Sequence, residues 1–212
     1  ARPMTLTKFG LPDWRPGMGY AGAAESPAQH RYPVWWTGDG VDLQASVESM
    51  VDGGVHGFKP FVHSDCGGDG RGSAGSLLRW TGHCVFGSIL RFHGSDHRPW
   101  TYTPAVEATI KSYLEMRYKL IPSLIAAGHE ATAAGAPLVA RCDLEWPEHP
   151  EASSNLQYLF LSDVLVAPIY DTKQNLTTRS VWIPPGKWQD AWNGSTVTGP
   201  ATLSVTLPFE RV

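Results

Sequence analysis

The sequence predicts an α/β fold, a layer of parallel strands and helices followed by a smaller antiparallel β region. Three observations predict it. Short apolar runs alternate with helical stripes through the first 134 residues. Just past the end of each of three runs stands a residue able to do chemistry, Asp39, Asp65 and His93, which is where parallel α/β folds place their sites. After Gly135 the helical stripes give way to short β-type segments separated by turn residues.

Taken in order, residues 3–9 read as a strand, followed by a long Gly/Pro/Ala loop to about His30. Tyr32 to Thr37 contains Val34-Trp35-Trp36, a compact apolar run suited to a buried strand, and it ends abruptly at Gly38-Asp39-Gly40. Leu43, Val47, Met50 and Val51 then fall at i, i+4, i+7 and i+8, one apolar helical stripe, with Gly53-Gly54 expected to stop it. Gly57 to His63 reads as the next strand, and Leu77, Leu78 and Val85 as the next helix. Ser88 to Phe92 is a short strand ending at His93. The longest helical pattern runs from about Pro104 to Ala134; Pro122 should bend or break it, and the aromatic residues of 102–118 should face the core. Beyond it, 138–140, 164–169, 180–183 and 202–207 are β-type, with Pro184-Pro185-Gly186, Asn193-Gly194 and Gly199-Pro200 as turns.

Composition narrows the function. With 42% hydrophobic residues, the 212-residue chain can pack a core. Seventeen basic against 20 acidic residues give a net charge of −3 without a basic cluster, which argues against nucleic acid as a partner. No stretch approaches the roughly 20 apolar residues of a membrane span. Cys66, Cys84 and Cys142 are odd in number and widely spaced, so disulfides are not expected to hold the fold. Nine Trp residues offer flat faces that suit sugar rings, although Trp is also a core filler.

Each candidate residue has two readings. Asp39, beside Trp35 and Trp36, sits where desolvation would raise a carboxyl pKa and make a general acid, yet Gly-Asp-Gly is also an ordinary Asx-turn. Asp65 could accept sugar hydroxyls or simply cap its loop. His93 could donate to a hydroxyl or be structural. His83, Cys84, His93, Asp96 and His97 lie close together, but no CxxC or HExxH pair accompanies them, so neither a metal nor a cofactor is expected. The 67–73 glycine-rich loop lacks a GK[ST] ending and carries Asp69, which points to a flexible segment or lid rather than a phosphate site.

The runs Arg31-Tyr32-Pro33-Val34-Trp35-Trp36-Thr37-Gly38-Asp39, His63-Ser64-Asp65-Cys66-Gly67-Gly68, Arg79-Trp80 and Arg91-Phe92-His93 resemble glycoside hydrolase family 31, the α-glucosidases and their relatives. The likeness continues through 114–122, 163–168 and 181–188. It implies the C-terminal portion of a (β/α)8 TIM barrel, about its fifth to eighth strands, over 1–139, and the start of a β-sandwich domain over 140–212. It also implies that Asp39 is the general acid/base, and that Arg2, Trp36, Asp65 and His93 bind the sugar at the cleavage subsite. The family's nucleophilic aspartate, in a W-x-D-M-x-E type segment, has no match here and is expected upstream, in the missing N-terminal part of the barrel. Asp69 stands where relatives usually carry an aromatic, and the loop from Phe9 to His30 is longer than usual. Retaining hydrolysis needs two carboxyls about 5–5.5 Å apart, so these residues alone are expected to be inactive. The implied partner is an α-glucoside or related sugar. The alternative is a non-catalytic carbohydrate-binding or scaffold protein derived from that fold. Half a barrel is also expected to expose a sheet edge and to aggregate.

Overall fold

The computed structural model describes residues 6–7, 34–38, 41–55, 60–68, 72–93 and 97–211. β1 (Leu6–Thr7), β2 (Val34–Trp36) and β3 (Phe61–His63) form a parallel sheet in sequence order. Leu6 pairs with Val34, Val34 with Phe61 and Trp36 with His63. Parallel bridges His63–Ile89 and Cys66–Phe92 set the segment 89–92 alongside β3. The strand predicted at 88–92 is therefore present as two isolated bridges rather than a continuous ladder. Ser88, at the start of this segment, donates its hydroxyl to the Val62 carbonyl of β3 at 2.5 Å.

The helices fill the connections. α1 (Leu43–Val55) starts where the Asp42 carboxylate accepts the Ala45 N–H at 2.8 Å, and it buries Leu43, Val47, Met50 and Val51 as its stripe requires. It runs through Gly53 and Gly54 instead of stopping there. A Cβ on Gly54 would stand 2.5 Å from the Val139 carbonyl, so the bare backbone lets α1 lie against the strand that follows the helical region. α2 (Ala74–Val85) is capped by Ser73, whose hydroxyl accepts the Ser76 N–H at 3.1 Å. α3 (Pro104–Ala134) is capped by Thr103 at one end and by left-handed Gly135 at the other. It continues through Pro122, contrary to the expected break. The proline leaves the Tyr118 carbonyl without its helical donor, but this flank of α3 faces water, which can supply one. The aromatic expectation held for Tyr113, which is buried, and not for Tyr118, which is exposed.

β4 (Val139–Ala140), β5 (Tyr158–Phe160) and β6 (Val164–Val166) form an antiparallel sheet. One hydrophobic cluster joins it to the helices: Val47 and Met50 of α1, Trp80 and Cys84 of α2, and Val139, Tyr158, Phe160 and Val166. β7 (Thr177–Gln189) and β8 (Thr196–Leu207) form a long antiparallel ribbon around the Asn193-Gly194 turn, where Asp190 accepts the N–H groups of Trp192 and Asn193. Pro184-Pro185-Gly186 and Gly199-Pro200 lie inside these strands, not in turns. The register shifts between Ile183 and Gly186, and this bulge accommodates prolines that cannot donate to a ladder.

Candidate active site

The chemistry-bearing residues gather at the C-terminal edge of the parallel sheet because all its strands point the same way. Trp36 ends β2 in register with His63. Asp65 lies two residues past the end of β3, and His93 follows the Phe92 bridge. Gly38 turns the chain off β2 with φ +94°, a conformation suited to glycine. Asp39 and Arg2, the expected acid/base and sugar-binding arginine, lie outside the described residues, as does Asp69.

Asp65 is the centre of the described site. It is 5% exposed. Its Oδ1 accepts from His63 Nε2 at 2.7 Å and from Arg91 Nε at 2.6 Å. Burial by itself would raise the carboxyl pKa, but the hydrogen bonds and charges of His63 and Arg91 outweigh it and hold the group well below the ordinary carboxylate range. Asp65 is therefore an anion. Its Oδ2 is buried, has no hydrogen bond among the described residues, and faces His93 Nε2 at 3.7 Å. The structure thus brings Asp65 and His93 together and places Trp36 on the same sheet edge.

His63 and Arg91, the anchors of Asp65, were not singled out by sequence reasoning. A signal was present for His63, since residues i and i+2 of an extended chain share a face. Arg91 reaches Asp65 from the neighbouring segment, a contact set by strand order.

The loops of the edge are tied together by His97, one of the residues weighed for metal binding. Its Nδ1–H donates to the His93 carbonyl at 2.7 Å, and its Nε2 accepts the Gly72 N–H at 3.4 Å. Gly67, at φ +102°, packs so close that a Cβ would approach the His97 ring to 2.8 Å, and a Cβ on Gly68 would meet Trp80 at 3.2 Å. The two glycines after Asp65 are therefore needed both for their left-handed backbone and for close packing. Arg79, adjacent to Trp80, reaches away from the site to the carbonyls of Asn175, Leu207 and Arg211 and lies over the Phe209 ring. It links α2 to the end of the chain. His83 lies in the core beside Tyr158, where burial lowers its pKa to about 3. It stays neutral.

An anionic carboxylate with one oxygen facing an imidazole, on a sheet edge that also carries Trp36, suits a polyhydroxylated ring. A model of the glycosyl hydrolases family 31 TIM-barrel domain matches residues 23–127, and one of the family 31 C-terminal domain matches residues 135–212. The chain belongs to glycoside hydrolase family 31. This family 31 chain is 32% identical over 180 residues to Alpha-glucosidase 2 of Bacillus thermoamyloliquefaciens, a match covering 80% of the chain and 22% of that protein. It is 30% identical over 195 residues to Alpha-xylosidase 1 of Arabidopsis thaliana, covering 82% of the chain and 21% of the relative. Among solved structures it resembles a family 31 α-xylosidase from a soil metagenome complexed with xylose, with a TM-score of 0.76 and 25% identity over 84% of this chain and 31% of that one. The chain thus spans about a fifth of the length of the two curated relatives. It carries part of the family's barrel domain followed by antiparallel sheets of its C-terminal domain.

Proposed function

We propose that the chain supplies the acid/base side of the cleavage subsite of a retaining α-glycosidase acting on α-glucosides or related sugars. Residues 1–139 form the barrel part and 140–212 begin the β-domain. Asp39 protonates the departing glycosidic oxygen and then, as a base, activates water. Asp65 accepts sugar hydroxyls through Oδ2, His93 donates to a neighbouring hydroxyl, and Trp36 and Arg2 complete the wall of the subsite. The attacking carboxylate comes from the part of the barrel that precedes these residues, so the chain by itself binds and does not turn over.

The observation that carries this reading is Asp65, a buried anion locked at Oδ1 by His63 and Arg91 with Oδ2 open toward His93, on the sheet edge where parallel α/β folds bind ligands. The relatives named as an α-glucosidase and an α-xylosidase supply the substrate class.

Two assays test it. Nitrophenyl α-glucoside and α-xyloside incubated with the chain should give no hydrolysis, and robust turnover would refute the one-carboxyl reading. In a full-length enzyme carrying these residues, Asp39→Asn should abolish hydrolysis of substrates with poor leaving groups while binding persists; unchanged turnover of maltose would remove Asp39 from the role.

A further inference from the structure

The β region carries a hollow of about 450 Å³ between one face of β7 and the segment 151–157, away from the parallel sheet edge. We infer that this hollow is a second binding site, for a short neutral oligosaccharide. The inference stands on the cavity itself and not on the roles given to Asp39 or Asp65.

The ribbon builds one wall. Thr178, Ser180 and Trp182 alternate along β7 and so share a face, and Thr202 is the cross-strand partner of Trp182 on that face. The three hydroxyl side chains are exposed, whereas Trp182 is buried. The facing segment is fixed to β7 by hydrogen bonds. Gln157 holds both backbone groups of Trp182, and Arg179 Nη1 donates to the carbonyls of Leu156, at 3.2 Å, and of Pro168. The frame of the hollow is thus set before a ligand arrives, which lowers the ordering cost of binding.

Two charges line this frame without answering each other. The Arg179 guanidinium lies half-buried over the Tyr170 ring, 5.6 Å from its centre. Its Nε makes a long 3.4 Å bond to the Ser180 carbonyl, and its Nη2 makes no hydrogen bond among the described residues. Glu151 is exposed on the same hollow, and no ion pair joins it to Arg179 among the described residues.

That pairing selects the ligand. An anion drawn to Arg179 meets the Glu151 carboxylate, and a cation drawn to Glu151 meets the guanidinium. A sugar hydroxyl both accepts and donates, so neighbouring hydroxyls of one ring serve both charges. Ser154, Thr178, Ser180 and Thr202 add hydroxyl partners, and Tyr170 and Trp182 add apolar surface for the C–H side of the ring. A zwitterion could also answer both charges, but it leaves these hydroxyls unused. Such a site tethers a longer glycoside to the β region while another of its units visits the sheet edge, raising the effective concentration there.

The test titrates the chain with maltotriose and follows backbone amide shifts by NMR. The amides of Thr178, Ser180 and Thr202 should move together and saturate in the millimolar range. The double variant Glu151→Ala, Thr202→Ala should weaken that response about tenfold, as expected for losing a hydrogen bond to a charged group. Both positions are exposed, so the variant should melt with the unaltered chain, whereas Arg179 is left in place because it holds two carbonyls. The inference is overturned if these amides stay still, if the double variant responds like the unaltered chain, or if inorganic phosphate or glycine moves them at lower concentration than the sugar. Shifts here with none at Asp65 and His93 would uphold this site and count against the proposed function alone. Shifts at Asp65 and His93 with none here would do the reverse.

Discussion

Around the parallel sheet, His63, Ser64, Asp65, Arg79, Thr81, His83 and His97 are all buried, whereas beyond residue 138 the buried polar side chain among the described residues is Gln157. The two regions also treat their polar atoms differently. Gln157 is satisfied at both ends by one residue, donating to the Trp182 carbonyl at 2.8 Å and accepting the Trp182 N–H at 3.1 Å. It pins β7 beside β5. Asp65 has one oxygen doubly engaged and the other without a hydrogen bond among the described residues. That oxygen faces His93 Nε2 at 3.7 Å, on the edge where parallel α/β folds place their sites. In the β region polar burial completes the fold; at the sheet edge it leaves a carboxylate oxygen without a hydrogen bond among the described residues.

The largest expected effect tests that contrast. Asp65→Ala removes the anion that His63 and Arg91 were built around, and we expect a loss of roughly 2–4 kcal/mol of stability in urea unfolding. His63 accounts for most of it, since the Arg91 side chain is 48% exposed and solvent screens its share. A loss below about 1 kcal/mol would mean that the carboxylate is not the keystone of the edge.

The next effect concerns pH. Burial lowers the His83 pKa to about 3 from an ordinary 6.5. Between those values the unfolded chain takes up a proton that the folded one refuses, so stability falls as pH drops from about 6.5 toward 3, by up to about 1.4 kcal/mol per unit. His83→Gln should flatten that slope in melts taken from pH 7 to 4, and an unchanged slope would place the proton uptake elsewhere. Asp65 acts in a lower window. Its folded pKa is depressed, so its contribution is present above the ordinary value of 3.8 and is lost as pH falls below it.

The smallest effect belongs to the ribbon. Thr178 and Thr206 are cross-strand partners with hydroxyls 2.6 Å apart and exposed. Thr178→Ala should cost about 0.2–1 kcal/mol, by the same urea measurement. A value as large as that for Asp65→Ala would dissolve the distinction between the two regions.

Local pattern revealed much of the fold in advance. The α1 stripe, the span of α3, the Asn193-Gly194 turn and the position of Asp65 and His93 past strand ends were all legible, because each depends on neighbours a few residues away. Three features were not. β5 was missed because the turn that follows it is made by Leu161 and Ser162 at φ +55° and +71°, residues that do not announce a left-handed turn. Gly53-Gly54 looked like a helix stop because the close approach of Val139 is a contact between distant parts of the chain. Pro184-Pro185-Gly186 looked like a turn because the bulge that tolerates it is set by the partner strand.

The same division holds at the site. Residue order by itself determined that this is a family 31 chain with an aspartate and a histidine just past parallel strands, since motif spacing and apolar periodicity are properties of the linear chain. Tertiary structure decided that Arg91 joins His63 on a single oxygen of Asp65, that His97 binds two loops through its two nitrogens, and that Tyr118 of α3 is exposed while Tyr113 is buried. Those outcomes depend on which segments become neighbours when the sheet forms, and on how burial is balanced against charge where they meet.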